Sequence, residues 1–320
     1  MNHLLQLLAD GQFHSGEELG AVLGVSRSAV WKYMRRFEAE SCLELFRVPG
    51  KGYRLAEPLS LLSVERFGTV LSRLGWGCSL LNVVDSTNAE ALRRLQGGAN
   101  APFVIVAEAQ TAGRGRRGRR WMSPPAQNIV YTLALKVLGG PQRLAGLSLV
   151  AGLAVLHALR SAGVADAGLK WPNDIYVANK KIAGILLELT GDPADVCHVV
   201  VGIGINVNMQ HIELAIEQPW TSIRLQLGTL VDRSDLVSLV SESLHYYLEI
   251  HERQGFGALR NEWEENNIWQ GKDCTLSTGT VEQTGKVLGV DDQGALRLLV
   301  GNEVQVFSGG ELSLRLAHDS

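Results

Sequence analysis

Two kinds of ligand cluster are missing from this 320-residue chain: its four cysteines, Cys42, Cys78, Cys197 and Cys274, form no CxxC pair, and its eight histidines form no HxH or HxxxH pair. Reduced structural thiols are therefore expected, with no disulfide framework and no protein-ligated metal centre. Walker A and GxSxG sequences are absent as well, which excludes a P-loop nucleotide cradle and a nucleophile-elbow hydrolase. No run approaches the ~18 consecutive apolar residues that a membrane helix needs. The longest candidate, residues 147–159, is broken by Ser148, Gly152 and His157 and reads as a buried helix. Asp10, Gly11 and His14 interrupt the first apolar stretch, so no signal peptide is read there and a cytoplasmic protein with no membrane partner is expected. The formal net charge is only −3, and a charged ligand has to be sought in local clusters.

What is present is an ordinary globular composition, 46% hydrophobic and 20% charged, in a chain long enough for two or three domains. The first part reads as three short helices and a hairpin. Leu4, Leu7 and Leu8 give the first helix an apolar stripe, and Ser15 with Glu18 makes a capping box for the second, whose inner side is Leu19, Val22 and Leu23. Gly24 makes a turn, and from Ser26 a third helix points Val30, Met34 and Phe37 inward and Arg27, Ser28, Trp31, Lys32, Arg35 and Arg36 outward. A hairpin over 45–55 turns through Pro49, Gly50, Lys51 and Gly52. This is a winged helix-turn-helix pattern. Residues 1–56 carry seven Lys or Arg against six Asp or Glu, yet all seven positives fall in the third helix and the hairpin. Such separation is the footprint of a DNA binder, with Ser26, Arg27, Ser28, Trp31, Lys32, Arg35 and Lys51 as candidate contacts. A three-helix protein-interaction module is the competing reading.

A linker centred on Pro58 separates this unit, taken as residues 1–60, from an α/β region over 61–270. There helical runs (88–95, 144–160, 234–252) alternate with β-rich ones (103–107, 129–135, 182–187, 198–207). Residues 271–320 change to short glycine-punctuated strands (273–277, 281–290, 295–300, 304–307), which predict a small β-barrel or sandwich. The whole is an α+β protein.

The chemistry concentrates in residues 113–121, where five arginines and three glycines stand among nine residues. Guanidinium groups on a glycine-rich backbone suit an oxyanion. Gly113, Gly115 and Gly118 spell GxGxxG, but Pro124 and Pro125 follow where a dinucleotide fold needs a helix, so that fingerprint is rejected. Alone, the segment is equally a solvated basic loop.

Four further segments accompany it: Val84-Asp85-Ser86-Thr87-Asn88, Lys170-Trp171-Pro172-Asn173-Asp174, residues 181–188 from Lys181 to Glu188, and the strand Gly202-Ile203-Gly204-Ile205-Asn206-Val207. Each is weak alone. Together and in this order the chain resembles the biotin protein ligases, whose blocks read DSTN, GRGRRGR-W, KWPND, K-AGIL-E and G-GIN. The resemblance spans the central region. The basic N-terminal unit and the C-terminal segment running from Gly309 and Gly310 through Glu311 to Arg315 extend it to the bifunctional members, which act as ligase and as biotin operon repressor.

The resemblance implies a central ligase domain of the class II aminoacyl-tRNA-synthetase and biotin-ligase type, followed by an SH3-like β-barrel. It implies ATP-dependent formation of biotinyl-5′-AMP, with Mg²⁺ on the phosphates, and transfer of biotin to a lysine of the biotin carboxyl carrier protein of acetyl-CoA carboxylase. A ligand-promoted homodimer on biotin operator DNA is implied as well. By position in the motifs, Arg116 and Lys170 are the catalytic candidates. Ser86, Thr87, Asn88, Gln110, Arg114, Gly115, Arg116, Lys170 and Gly184 are those for biotin. Arg116, Trp121, Lys170, Asn173, Asn206 and Trp220 are those for ATP and the adenylate. Asp174 is a candidate to orient the carrier lysine or a metal-bound water, and Gly184, Gly202 and Gly204 are expected to let biotin lie close to bare backbone. A lipoate ligase shares the fold and the adenylation chemistry; the arginine-rich loop and the Trp-Pro after Lys170 favour biotin.

Overall fold

Helices α1 (Asn2–Leu8), α2 (Gly16–Leu23) and α3 (Arg27–Ser41) and strands β1 (Leu45–Val48) and β2 (Gly52–Leu55) open the chain. The coordinates are a computed structural model that describes residues 2–41, 43–138, 140–192, 196–210, 218–278, 281–309 and 312–317. Cys42, Gly310, Glu311 and residues 211–217 of the segment leading to Trp220 lie outside the described residues. The capping box is complete: Ser15 Oγ accepts from Glu18 N at 3.0 Å, and Glu18 Oε2 accepts from Ser15 N at 2.8 Å. Leu4, Leu8, Leu19, Val30, Met34 and Phe37 form one small core, closed by Leu45 and Leu55 of the hairpin. Two positions depart from expectation. Leu5 joins the buried face of α1, with Leu7 partly buried against the same core, and Val22 is 64% exposed. In α2 the packed face centres on Leu19, Gly20 and Leu23, which turns Val22 outward.

The central region runs α4 (Val64–Arg73), β3 (Gly77–Val84), α5 (Thr87–Gln96), β4 (Phe103–Gln110), β5 (Asn128–Leu138), α6 (Leu147–Ser161), β6 (Gly168–Lys170), β7 (Asp174–Val177), β8 (Lys180–Gly191), β9 (Val196–Asn206), α7 (Ile223–Leu227), α8 (Arg233–Gln254) and α9 (Arg260–Glu265). The strands make a seven-stranded sheet in the order β3-β4-β5-β9-β8-β7-β6, parallel at β3–β4 and antiparallel elsewhere. Period-two alternation divides its side chains between two cores. Val104, Val106, Leu133, Val199 and Val201 join the core that holds α6 and α8, while Phe103, Ile105, Ala134 and Val200 pack with Ala91 and Leu95 of α5.

Strands β10 (Asp273–Thr278), β11 (Val281–Val290), β12 (Leu296–Val300), β13 (Glu303–Phe307) and β14 (Ser313–Leu316) form an antiparallel sheet in the order β13-β12-β11-β10-β14. A sheet this small buries little alone. Its Cys274, Leu276, Val287, Leu296, Leu298 and Leu314 share one continuous core with the central region.

The linker is packed. Leu59 N donates to Ala9 O at 2.8 Å, and Glu57 takes the Arg224 guanidinium and, at 3.1 Å, the Gln210 amide. Just beyond it, fully buried Arg233 reaches Glu108, Asn128 O at 2.8 Å and Ser60 O at 2.6 Å, while Glu108 also accepts from Leu62 N. Among the described residues no helix is long and apolar enough to cross a membrane.

Candidate active site

A cavity of about 190 Å³ collects the five motif segments, and every residue singled out for biotin or nucleotide lines it: Ser86, Thr87, Asn88, Gln110, Arg114, Gly115, Arg116, Trp121, Lys170, Asn173, Gly184, Asn206 and Trp220. The start of α5, strands of the central sheet and the loops at their ends supply these groups, so the sheet fixes their spacing.

One wall is a closed polar network. Ser86 caps α5, its Oγ accepting from Ala89 N at 3.4 Å. Thr87 donates from N and Oγ1 to Gln110 Oε1 at 2.8 and 3.0 Å, and Thr132 Oγ1 bonds Thr87 Oγ1 at 2.8 Å and Asn88 Oδ1 at 2.7 Å. Asn88 Nδ2 donates to Glu188 Oε2 at 2.8 Å, and Glu188 Oε1 in turn pairs with Arg114 Nη2 at 3.1 Å. Buried amides and hydroxyls satisfied by one another are held in a fixed donor and acceptor pattern.

Gly202 and Gly204 of β9 line the cavity and are closely approached by side chains. A Cβ on Gly202 would stand 2.3 Å from Asn88 Oδ1, and one on Gly204 would stand 2.4 Å from Cε2 of Trp121. The bare backbone seats the Asn88 amide and the Trp121 indole, which then present their other faces to the cavity. Gly184 likewise has Lys181 and Asp174 over it.

The opposite wall is cationic. After β4 the loop over 113–121 folds on itself through Trp121 N to Gly113 O at 2.9 Å and Gly115 N to Arg119 O at 2.7 Å. A single 3₁₀ turn (Arg116–Gly118) stands where a dinucleotide fold would start a helix. Arg116 bonds Asn173 Oδ1 at 2.9 Å and Leu312 O at 3.2 Å, and Asn173 Nδ2 donates to Ile185 O at 2.8 Å. Among the described residues seven basic side chains line the cavity (Arg114, Arg116, Arg117, Arg119, Arg120, Lys170 and Lys181) against one carboxylate, Asp174. That carboxylate is neutralised by Lys181 Nζ at 2.6 Å. Burial lowers the pKa of the Arg116 guanidinium and pushes the Lys170 ammonium down to about 8, with Asp174 opposing both shifts. An excess of cations, with Arg116, Lys170 and Lys181 partly buried and the other arginines exposed, favours a polyanionic ligand.

Three family descriptions match the chain: a helix-turn-helix domain over residues 1–54, the biotin/lipoate A/B protein ligase family over 80–206, and the biotin protein ligase C-terminal domain over 271–315. The bifunctional ligase/repressor BirA of Escherichia coli is 39% identical over 316 residues, covering 98% of this chain and 97% of that protein. The chain belongs to the biotin protein ligase family. The biotin–[acetyl-CoA-carboxylase] ligase of Paracoccus denitrificans is 38% identical, with 72% of this chain aligned to all of that protein. The biotin protein ligase from Aquifex aeolicus in complex with biotin and ATP superposes with a TM-score of 0.66 at 31% identity, over 75% of this chain and 99% of that one.

In this biotin protein ligase family member the sequence motifs omit several residues that build the site. Leu312 and Leu314 bring the C-terminal sheet to the cavity. Glu188 ties Asn88 to Arg114, and Tyr176 and Trp269 flank Lys170. Glu188 closes the 181–188 motif and was legible there; the others are ordinary hydrophobic or aromatic positions until the fold brings them in.

The winged unit presents its basic face to solvent. Ser26, Arg27, Ser28, Trp31, Lys32, Arg35 and Lys51 are all exposed. Trp31 is 47% exposed, with the Arg35 guanidinium 5.1 Å from its ring centroid. An unburied tryptophan under an arginine, on the second helix of a helix-turn-helix, suits a groove lined by phosphates and bases.

Proposed function

We propose that the chain is a bifunctional biotin ligase and repressor. It makes biotinyl-5′-AMP and pyrophosphate from biotin and ATP, passes biotin to a lysine of the biotin carboxyl carrier protein of acetyl-CoA carboxylase, and as an adenylate-bound homodimer represses the biotin operon in the cytoplasm. Residues 1–60 bind DNA, 61–270 hold biotin and ATP, and 271–320 complete the cavity through Leu312 and Leu314. The observation that carries the reading is the pairing, in one cavity, of a fixed amide and hydroxyl wall with a cluster of basic side chains that, among the described residues, outnumbers the carboxylates Asp174 and Glu188 paired with it.

The ureido ring of biotin needs donors and acceptors at fixed spacing, which Ser86, Thr87, Asn88 and Gln110 provide. Its carboxylate is then directed toward Arg116 and Lys170. A carboxylate approaching the α-phosphate of ATP meets Coulomb repulsion, and the cations offset it and stabilise the charge that builds on the phosphoryl oxygens. A carboxylate oxygen bonds to the α-phosphorus as the bond to pyrophosphate breaks. In the second step the carrier amine attacks the acyl carbon, AMP departs, and the nitrogen loses a proton to form the amide. Asp174 orients that amine. Trp121, Asn173, Asn206 and Trp220 enclose the nucleotide side, and Arg114 and Gly115 close the loop over the anhydride, keeping water from it. Among the described residues no group of three or more His, Cys, Asp or Glu gathers to hold a metal ion. Mg²⁺ accompanies ATP in this reading and offsets charge on its phosphates.

Biotin-dependent exchange of labelled pyrophosphate into ATP tests the first step directly; exchange that ignores biotin would contradict it. Retardation of biotin operator DNA, strengthened by biotin with ATP, tests the repressor half, and sedimentation under the same conditions tests the homodimer.

A further inference from the structure

Lys170 is bracketed by two aromatic residues that do not themselves line the cavity. Its Nζ lies 4.3 Å from the ring centroid of Trp269 and 4.7 Å from that of Tyr176, and it donates to Tyr176 Oη at 3.1 Å. A lysine ammonium on a flexible four-carbon stem has no preferred direction, and once shielded from water it needs partners. The electron-rich ring faces and the phenol oxygen supply them without adding a counter-charge that would compete for an anionic ligand.

Both brackets are anchored. Trp269 is 5% exposed, and the segment before it is stitched to the strand that carries Lys170: Leu169 N donates to Asn266 O at 2.8 Å, and Ile268 N donates to Leu169 O at 2.9 Å. Two residues later Gly271 N donates to Val287 O of the C-terminal sheet at 2.9 Å. Tyr176 stands on β7, which pairs with β6 through Lys170 and Asp174, and its hydroxyl also accepts from the Gln218 amide in the segment that leads to Trp220.

Resting on the ligase reading, we propose that Tyr176 and Trp269 are positioning residues for adenylate formation, fixing the Lys170 ammonium where the biotin carboxylate meets the α-phosphate. The C-terminal sheet and the Trp220 segment thereby both set where this cation stands.

The test is the titration of Lys170 itself, read by NMR in the full chain with [¹³Cε]lysine, the resonance being assigned by its loss in Lys170→Arg. The charged and titratable groups around it, Asp174, Lys181, Arg119 and Cys274, are unchanged in the variants. Trp269→Leu keeps an apolar side chain and deletes the ring, Tyr176→Phe keeps the ring and deletes the acceptor, and Trp269→Phe restores a ring face. The titration midpoint is expected to fall by about 0.5–1 pH unit in Trp269→Leu and Tyr176→Phe and to return most of the way in Trp269→Phe. Biotin-dependent pyrophosphate exchange should lose about tenfold or more in kcat in the first two, with the basic limb of its pH profile displaced to lower pH. Should Trp269→Leu fail to fold, Tyr176→Phe carries the comparison. An unmoved midpoint, with activity lowered equally at every pH, would overturn the proposal. Absence of exchange in the unmodified protein would overturn the ligase reading, while the titration still decides whether the two residues hold the cation.

Discussion

Arg116 donates from Nη2 to the main-chain oxygen of Leu312 at 3.2 Å, so the arginine loop and the C-terminal sheet meet across the cavity that both residues line. The same guanidinium holds Asn173, and through it the main chain of β8 at Ile185. One side chain thus joins the loop, the Lys170 hairpin and the C-terminal sheet. Arg116→Met keeps the bulk and removes the charge and the hydrogen bonds. Adenylate formation, measured by biotin-dependent pyrophosphate exchange, is expected to fall by about 10²-fold or more in kcat.

Lys170 gives the site a pH dependence whose sign follows from its depressed pKa. In the free protein the ammonium loses its proton from about pH 8 upward, whereas a bound anion holds the proton in place. Binding above that pH requires uptake of one proton, so the Kd of a non-hydrolysable biotinyl-adenylate analogue should rise, by at most about tenfold per pH unit. Below about pH 8 it should be flat with respect to this group. Calorimetry from pH 6.5 to 9.5 checks this, and Lys170→Met should bind weakly with no such rise.

Arg233 and Glu108 form a buried ion pair that also fastens the linker, through Ser60 O and Leu62 N, to β4, β5 and the start of α8. Removing one partner strands the other charge away from water. Arg233→Met should cost about 3–5 kcal/mol in urea unfolding, more than any single surface ion pair of the chain. Arg66→Met breaks exposed pairs with Asp232 and Asp235, which water and salt screen, and should leave the unfolding midpoint close to that of the unmodified protein.

On the winged unit, Lys32 and Arg35 project from α3 into solvent. Every phosphate that a cation neutralises releases condensed counterions, so Lys32→Ala should weaken binding to biotin operator DNA. The slope of log K against log salt should shrink by about 0.9 for each phosphate left without its cation. Filter binding across 50–200 mM salt reads this directly.

The sequence carried the residues that line the cavity further than the residues that support them. Glycine, arginine and short polar runs at turns mark a site because few other demands explain them, and all five motif segments do converge on one cavity. The capping box at Ser15, the basic α3 and the apolar β-rich run at 103–107 were legible because each is set by residues close together in sequence. Val22 was misjudged because an eight-residue helix has too few turns to fix the phase of its packed face. Gly202 and Gly204 announced a close approach, expected from biotin; in the fold Asn88 and Trp121 lie over them beside the cavity. Trp269, and the part Leu312 takes in the site, could not be found, since an aromatic or leucine position looks like core until the chain folds back 90 residues or more, as it does from Trp269 to Lys170 and from Leu312 to Arg116; Tyr176 is only six residues from Lys170 but reads as an ordinary strand position.

The central claim is that this cavity activates biotin and hands it to a protein lysine. The most direct measurement is transfer of radiolabelled biotin to an isolated biotin carboxyl carrier domain. With biotin, MgATP and the full chain, label should enter the carrier in an ATP-dependent manner and should be lost when the carrier's acceptor lysine is replaced or when Lys170 is changed to Met. A carrier that stays unlabelled by the unmodified protein, or that is labelled equally without ATP, would contradict the account.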